Sequence, residues 1–221
     1  MNNAIKLLLV SLISAAGSVY ADPQLLQLTV ADSSGDSSVF NGTFTGGLGS
    51  VSTGVSFFNL GHGWQVEIAG GDTGTAMDLD TLDIITSGSG SLTVTLSGTD
   101  FTLNTGNEVS SVGGTAMGGV NFSTFGDASD GLNIETTLLS SISISNPHGA
   151  FSGSQGGSTA ILGSTYSLTE VITLTNPTPG TLNSIDGTLN TVPDTGATLL
   201  LVGLGLGGLA IGARKFRTVK A

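Results

Sequence analysis

Four carboxylates crowd one short stretch of the chain: Asp72, Asp78, Asp80 and Asp83, the first inside Gly70-Gly71-Asp72-Thr73-Gly74. Carboxylate oxygens are the donors a hard divalent cation takes, about six to eight around calcium. In a strand, Asp78 and Asp80 point to one face roughly 7 Å apart, so the chemistry open to this cluster is calcium binding. A calcium-binding nonapeptide would need a second copy, and none follows at that period. An EF-hand loop would need Asp or Asn where Leu82 stands. The competing reading is a row of acids on a solvated edge. Trp64, beside Gln65 and Glu67, offers an indole face on which a sugar ring could stack. In an alternating strand, the same residue is core. The two histidines lie in Gly61-His62-Gly63 and Pro147-His148-Gly149, which places both in turns. A metal site or an acid–base pair would need them together, and the spacing does not bring them together. They are read as structural or exposed.

Nucleophilic chemistry has little to work with. The chain has no cysteine and no Gly-x-Ser-x-Gly elbow, and no Lys or Arg stands between Leu7 and Ala213. Oxyanion or phosphate stabilisation would rest on backbone N–H groups or histidine. The expectation is therefore a protein without catalytic function, with no cofactor other than calcium. All sixteen acids lie from Asp22 to Asp194, and the formal net charge is -11. A body without cations cannot neutralise phosphates, which excludes nucleic acid as a partner.

Another motif is built to be acted upon. Val192-Pro193-Asp194-Thr195-Gly196 is followed by an uncharged apolar run from Ala197 to Ala213 and then by Arg214-Lys215-Phe216-Arg217. As a helix the run is roughly 25 Å long, close to a hydrocarbon core of about 30 Å. Basic residues beyond it favour a cytoplasmic tail and an exported body. Gly203-Leu204-Gly205-Leu206-Gly207-Gly208 fits a GxGxxG pattern. No strand–helix unit surrounds it, so it is membrane segment and not a nucleotide loop. At the other end, Lys6, the apolar stretch Leu7 to Val19 and Val19-Tyr20-Ala21 read as a signal peptide cleaved after Ala21. Every cation of the chain thus flanks one of the two apolar ends.

The run VPDTGATLLLVGLGLGGLAIGARKFR closely resembles the PEP-CTERM sorting signals of Gram-negative bacteria, in the variant with a Val-Pro-Asp-Ser/Thr-Gly signature. The resemblance implies export by the secretion machinery, transient anchoring in the inner membrane, and cleavage near the signature by an exosortase. Pro193 and Asp194 would then be the core of the recognition motif, with Val192, Thr195 and Gly196 flanking it and Arg214, Lys215 and Arg217 as the basic stop. It further implies a cell-surface or extracellular location and an association with exopolysaccharide and biofilm matrix. The same five residues also resemble the Leu-Pro-x-Thr-Gly motif of Gram-positive sortase substrates, with Val for Leu, which would imply cell-wall anchoring through Thr195. Asp22 to Thr191 resembles, more loosely, a β-rich domain of other PEP-CTERM proteins. Met77–Ile84, Ser91–Leu96 and Tyr166–Leu174 carry that likeness.

The elements that must position these residues are strands. Leu26–Val30, Trp64–Ile68, Leu92–Leu96, Ile142–Ile144 and Tyr166–Leu174 alternate apolar and polar residues, the period of a strand with one face on a core. Weaker signals lie at Val39–Phe44, Val55–Phe58, Asp100–Leu103, Val120–Phe125, Leu132–Leu138 and Ala160–Leu162. Turns are expected at Ser33–Asp36, Gly70–Asp72, Ser87–Gly90, Gly126–Gly131 and Asn176-Pro177. About ten short strands predict an all-β chain. The expected fold is a single antiparallel β-sandwich of jelly-roll type, with an N-terminal signal peptide and a C-terminal transmembrane helix. The expected organisation is a signal peptide at 1–21, an exported β-sandwich domain at 22–191, and a sorting signal at 192–221. That signal divides into signature 192–196, span 197–213 and tail 214–221. A last hairpin or strand and a short exposed lead should precede the signature. The functional expectation is a structural or adhesive surface protein. The alternative is a carbohydrate- or calcium-binding surface module.

Overall fold

A computed structural model describes residues 25–45, 48–51, 58–72, 76–101, 106–159, 162 and 165–192. The signal-peptide and sorting-signal expectations, including Ala21, Pro193 to Gly196 and the basic stop, lie outside the described residues. Within them the chain is all-β, with fourteen strands and no helix. The strands are β1 (Leu26–Asp32), β2 (Ser37–Asn41), β3 (Thr43–Thr45), β4 (Leu48–Ser50), β5 (Phe58–Gly61), β6 (Trp64–Asp72) and β7 (Ala76–Thr86). They continue with β8 (Ser91–Phe101), β9 (Asn107–Ala116), β10 (Gly119–Asp127), β11 (Thr137–Ile144), β12 (Gly149–Ser158), β13 (Tyr166–Thr175) and β14 (Leu182–Val192). Two antiparallel sheets form. The first has the order β11-β10-β13-β8-β1-β2, and the second β12-β9-β14-β7-β6-β4-β3, with β5 also on β6.

Alternation puts apolar rows between the sheets. In the first sheet, Phe122, Ile172, Val94 and Val30 stand in one row across β10, β13, β8 and β1. All four are buried. The second sheet answers with Ile68, Leu82 and Ile185 in register across β6, β7 and β14. Burying one such side chain contributes about 1.5–3 kcal/mol. Gly187 belongs to the same layer: a Cβ there would stand 3.0 Å from Ile172 and 3.1 Å from Phe122, so its lack of a side chain lets the sheets close.

The phase of β7 is corrected by a bulge. Against β14 the register slips between Ile185 and Gly187, so β7 carries one extra residue between Leu79 and Leu82. Without it, a period of two could not turn both Leu79 and Leu82 inward, and both are buried.

Several expectations change here. Gly70–Asp72 is not a turn but the end of β6, because each residue has a partner on β7. Leu132–Thr136 is loop, with β11 beginning at Thr137. The last strand expected before the signature is β14, whereas four strands lacked a strand prediction of their own: β4, β7, β9 and β12. β9 and β12 are rich in Gly and Ser, whose alternation carries little hydropathy signal. Finally, no unpaired lead precedes the signature. β14 is central in the second sheet, and Val192 itself pairs with Asn107 on β9.

Candidate functional site

Two tight turns, one from each sheet, meet at one end of the sandwich. The β1–β2 turn begins with Asp32. On β1 the inward positions are Leu26, Leu28, Val30 and Asp32, so the carboxylate takes the fourth place of an apolar row. It stands beside Leu92 of β8 and is 8% exposed. Its Oδ1 accepts the N–H of Ser34 and of Asp36, both at 2.9 Å. That arrangement holds the turn closed, as Asx-type turns do.

The β5–β6 turn is Gly61-His62-Gly63-Trp64. His62 and Gly63 both have positive φ, +44° and +82°. This is the backbone of a two-residue hairpin that follows the twist of its strands. The turn aims His62 Nδ1 at the first turn, 2.9 Å from Asp36 Oδ2 and 3.3 Å from Asp32 Oδ2. Gly61 makes the approach feasible: a Cβ there would lie 1.9 Å from Asp36 Oδ2.

The electrostatics are asymmetric. The Asp32 side chain is fully buried, whereas those of His62 and Asp36 are 56% and 44% exposed. Burial alone would raise the Asp32 pKa. The N–H groups of Asp36 and Ser34 and the neighbouring His62 outweigh it and hold the carboxyl below its ordinary range. Asp32 is thus ionised, and its Oδ2 accepts no hydrogen bond. Among the described residues, these three side chains are the cluster of metal-ligating types that converges.

The sequence-expected residues fall elsewhere. Asp72 pairs with Asp78 across β6 and β7, Asp80 pairs with Gly70, and Asp83 with Glu67. The side chains of Asp72 and Asp80 lie outside the described residues. Asp78 and Asp83 are half-buried, and neither belongs to the converging cluster. Of the two readings of Trp64 the core one holds: at 1% exposure its ring is buried and offers no face to a sugar. His62 and His148 both occupy turn positions with positive φ, as expected. His148 meets Asn146 in the β11–β12 loop. Asp32 and Asp36 were missed, although a signal existed. Extending the phase of Leu26, Leu28 and Val30 by one step lands on Asp32, an acid at a core position.

A second polar feature lies between the sheets. Glu108 on β9 and Glu170 on β13 are both buried. Thr124 Oγ1 lies 2.8 Å from Ser140 Oγ, 3.2 Å from Ser110 Oγ and 3.4 Å from Glu108 Oε1. Burial pushes Glu108 up to about 7, against the Thr124 hydroxyl, which lowers it. Burial, with the nearby charges of Asp78 and Glu108, pushes Glu170 well above the carboxylate range.

The outer face of the second sheet carries a shallow groove over β12, β9 and β14. Ser111, Ser152, Ser154, Asp186 and Thr188 line it together with Val112 and two glycines.

No protein-family model matches the chain, and no curated protein matches it in sequence. Among solved structures, it is similar to the C-terminal carbohydrate-binding module of LamC, a marine laminarinase from Zobellia galactanivorans. The identity is 16% and the TM-score 0.31, over 53% of this chain and 90% of that one. A carbohydrate-binding module from Cellvibrio mixtus lichenase 5A, in complex with cellotriose, is 10% identical with a TM-score of 0.31. It covers 59% of this chain and 88% of its own. The K1 cleaved adhesin domain of Lys-gingipain from Porphyromonas gingivalis is 11% identical with a TM-score of 0.35, over 68% and 94%. The architecture assigned here rests on the two sheets themselves.

Proposed function

We propose that this chain is an exported surface or matrix protein without turnover. Its C-terminal segment holds it in the inner membrane until an exosortase-type enzyme cuts near Val192–Gly196. The observation that carries the reading is the continuous tail, in which signature, uncharged span and basic stop follow one another without a gap. The position of β14 supports it. The described ladder of β14 on β9 runs to Val192, and Pro193 has no N–H with which to extend a ladder. A cut beyond that point removes none of the described strands. The role of the body is structural or adhesive, within an extracellular polysaccharide layer.

The test is the intact mass of the surface-exposed product. The expected product lacks Met1–Ala21 and Arg214–Arg217. Replacing Pro193-Asp194 with Ala-Ala should leave the tail uncut and the protein in the membrane fraction. A mature product still carrying its arginines would overturn the reading. Covalent attachment to peptidoglycan through Thr195 would transfer the chain to the sortase class.

The groove over β12, β9 and β14 supports a second reading, a carbohydrate-binding surface module. Its hydroxyls and the Asp186 carboxylate are the polar groups that pair with sugar hydroxyls. Glycan-array binding that is lost in Asp186→Ala would favour this reading over a purely structural body.

A further inference from the structure

We propose that Asp32, Asp36 and His62 bind a divalent transition cation of the zinc or manganese class, which joins the two sheets at one end of the sandwich. The donor geometry is the first ground. His62 Nδ1 stands 2.9 Å and 3.3 Å from the two carboxylate oxygens, and ligand atoms from all three residues lie within 4.8 Å of one another. Bonds of about 2.0–2.2 Å place neighbouring donors of a tetrahedral or octahedral shell roughly 2.9–3.5 Å apart. The separations of 2.9 Å and 3.3 Å fall in that range. An imidazole nitrogen among carboxylates suits zinc or manganese, whereas calcium takes oxygen donors.

The buried carboxylate is a separate ground. Asp32 Oδ2 is sealed from solvent, accepts no hydrogen bond and lies 3.3 Å from His62 Nδ1, in a cluster whose third member is Asp36. Buried carboxylates are normally paired or coordinate a metal. The described part of the chain contains no Lys or Arg to pair with it. A protonated His62 would supply one positive charge against two carboxylates, and a divalent cation would balance both.

The frame is also held in advance. Asp32 Oδ1 is occupied by two backbone N–H groups, which leaves Oδ2 free to ligate. The His62-Gly63 turn and the side-chain-free Gly61 admit Asp36 at close range. The exposed sides of His62 and Asp36 leave a path for the ion and room for water to complete its shell. The chain has no cysteine, so such a cation would be a cross-link between sheets that disulfides cannot provide.

The full-length chain, in mild detergent, without affinity tag and stripped by chelator, is titrated calorimetrically with Zn²⁺, Mn²⁺ and Ca²⁺. Melting is followed in parallel. Binding of one Zn²⁺ or Mn²⁺ per chain with a raised Tm is expected. The affinity should fall at least tenfold in His62→Ala and in Asp36→Asn, both at partly exposed positions, and stay unchanged in His148→Ala. Substituted Co²⁺ should show a visible absorption band that His62→Ala abolishes. Absence of Zn²⁺ and Mn²⁺ binding, or equal affinity in wild type and both variants, overturns the proposal. So does binding of Ca²⁺ alone that survives His62→Ala. If His62→Ala lowers Tm equally with and without chelator, the cluster is a plain imidazolium–carboxylate pair and the proposal also falls.

Discussion

At the scale of single residues, this body places acids where its own alternation calls for apolar side chains. Asp32, Glu108 and Glu170 all point between the sheets, but they resolve the conflict differently. Asp32 stays charged because two N–H groups and His62 favour its ionised form. Glu108 has the Thr124 hydroxyl alone and Glu170 accepts no hydrogen bond, so burial wins and favours their protonated form. A carboxyl whose folded pKa lies above its unfolded value stabilises fully below the unfolded value, near 4.5. That contribution is lost as pH rises through the folded one, about 7 for Glu108. The protein should therefore unfold at lower urea concentration at pH 8 than at pH 5, with Glu108 supplying about 2–3 kcal/mol of the difference. Glu108→Gln and Glu170→Gln should each flatten the profile. A pH-independent midpoint in the wild type would contradict the assignment.

At the scale of elements, β14 matters more than its place at the end of the described chain suggests. It pairs with β9 on one side and β7 on the other. Near its start, the buried Asn183 accepts the N–H of Met117 at 2.8 Å and donates to the carbonyl of Ile84. Asn183→Ala leaves both groups without that partner and should cost about 1–3 kcal/mol in chemical denaturation. Amide exchange should follow the strand order. β13, β8 and β14, paired on both sides, should exchange slowest. β2 and β12, at the sheet edges, should exchange fastest. Equal protection of β2 and β8 would contradict the sheet order.

At the scale of the whole molecule, the charge distribution is one-sided. Sixteen acids lie from Asp22 to Asp194, with no Lys or Arg among them. Like charges on a compact body repel, and salt screens them over about 10 Å at 0.1 M. Raising sodium chloride from about 10 mM to about 0.5 M should therefore increase Tm. A decrease would mean that attractive pairs dominate. The same charge keeps exposed apolar side chains such as Val39 and Leu138, both on edge strands, from drawing copies together at low salt.

Period-two alternation in Leu26–Val30, Trp64–Ile68, Leu92–Leu96 and Tyr166–Leu174 determined by itself that the body is all-β with two facing layers, because a strand's side chains alternate whatever its neighbours are. The absence of cysteine, lysine and arginine likewise determined which stabilising pairs the body cannot use. The tail motif, too, is a property of contiguous residues. Only the tertiary structure decided the rest. β9 and β12 take their place by backbone pairing, which glycine and serine support without any hydropathy signal. Trp64 went to the core because strand phase, not residue chemistry, sets the face. Asp32, Asp36 and His62 stand 26 or more positions apart in part, on turns of different sheets. Their meeting depends on how the two layers stack, and no local pattern encodes that distance.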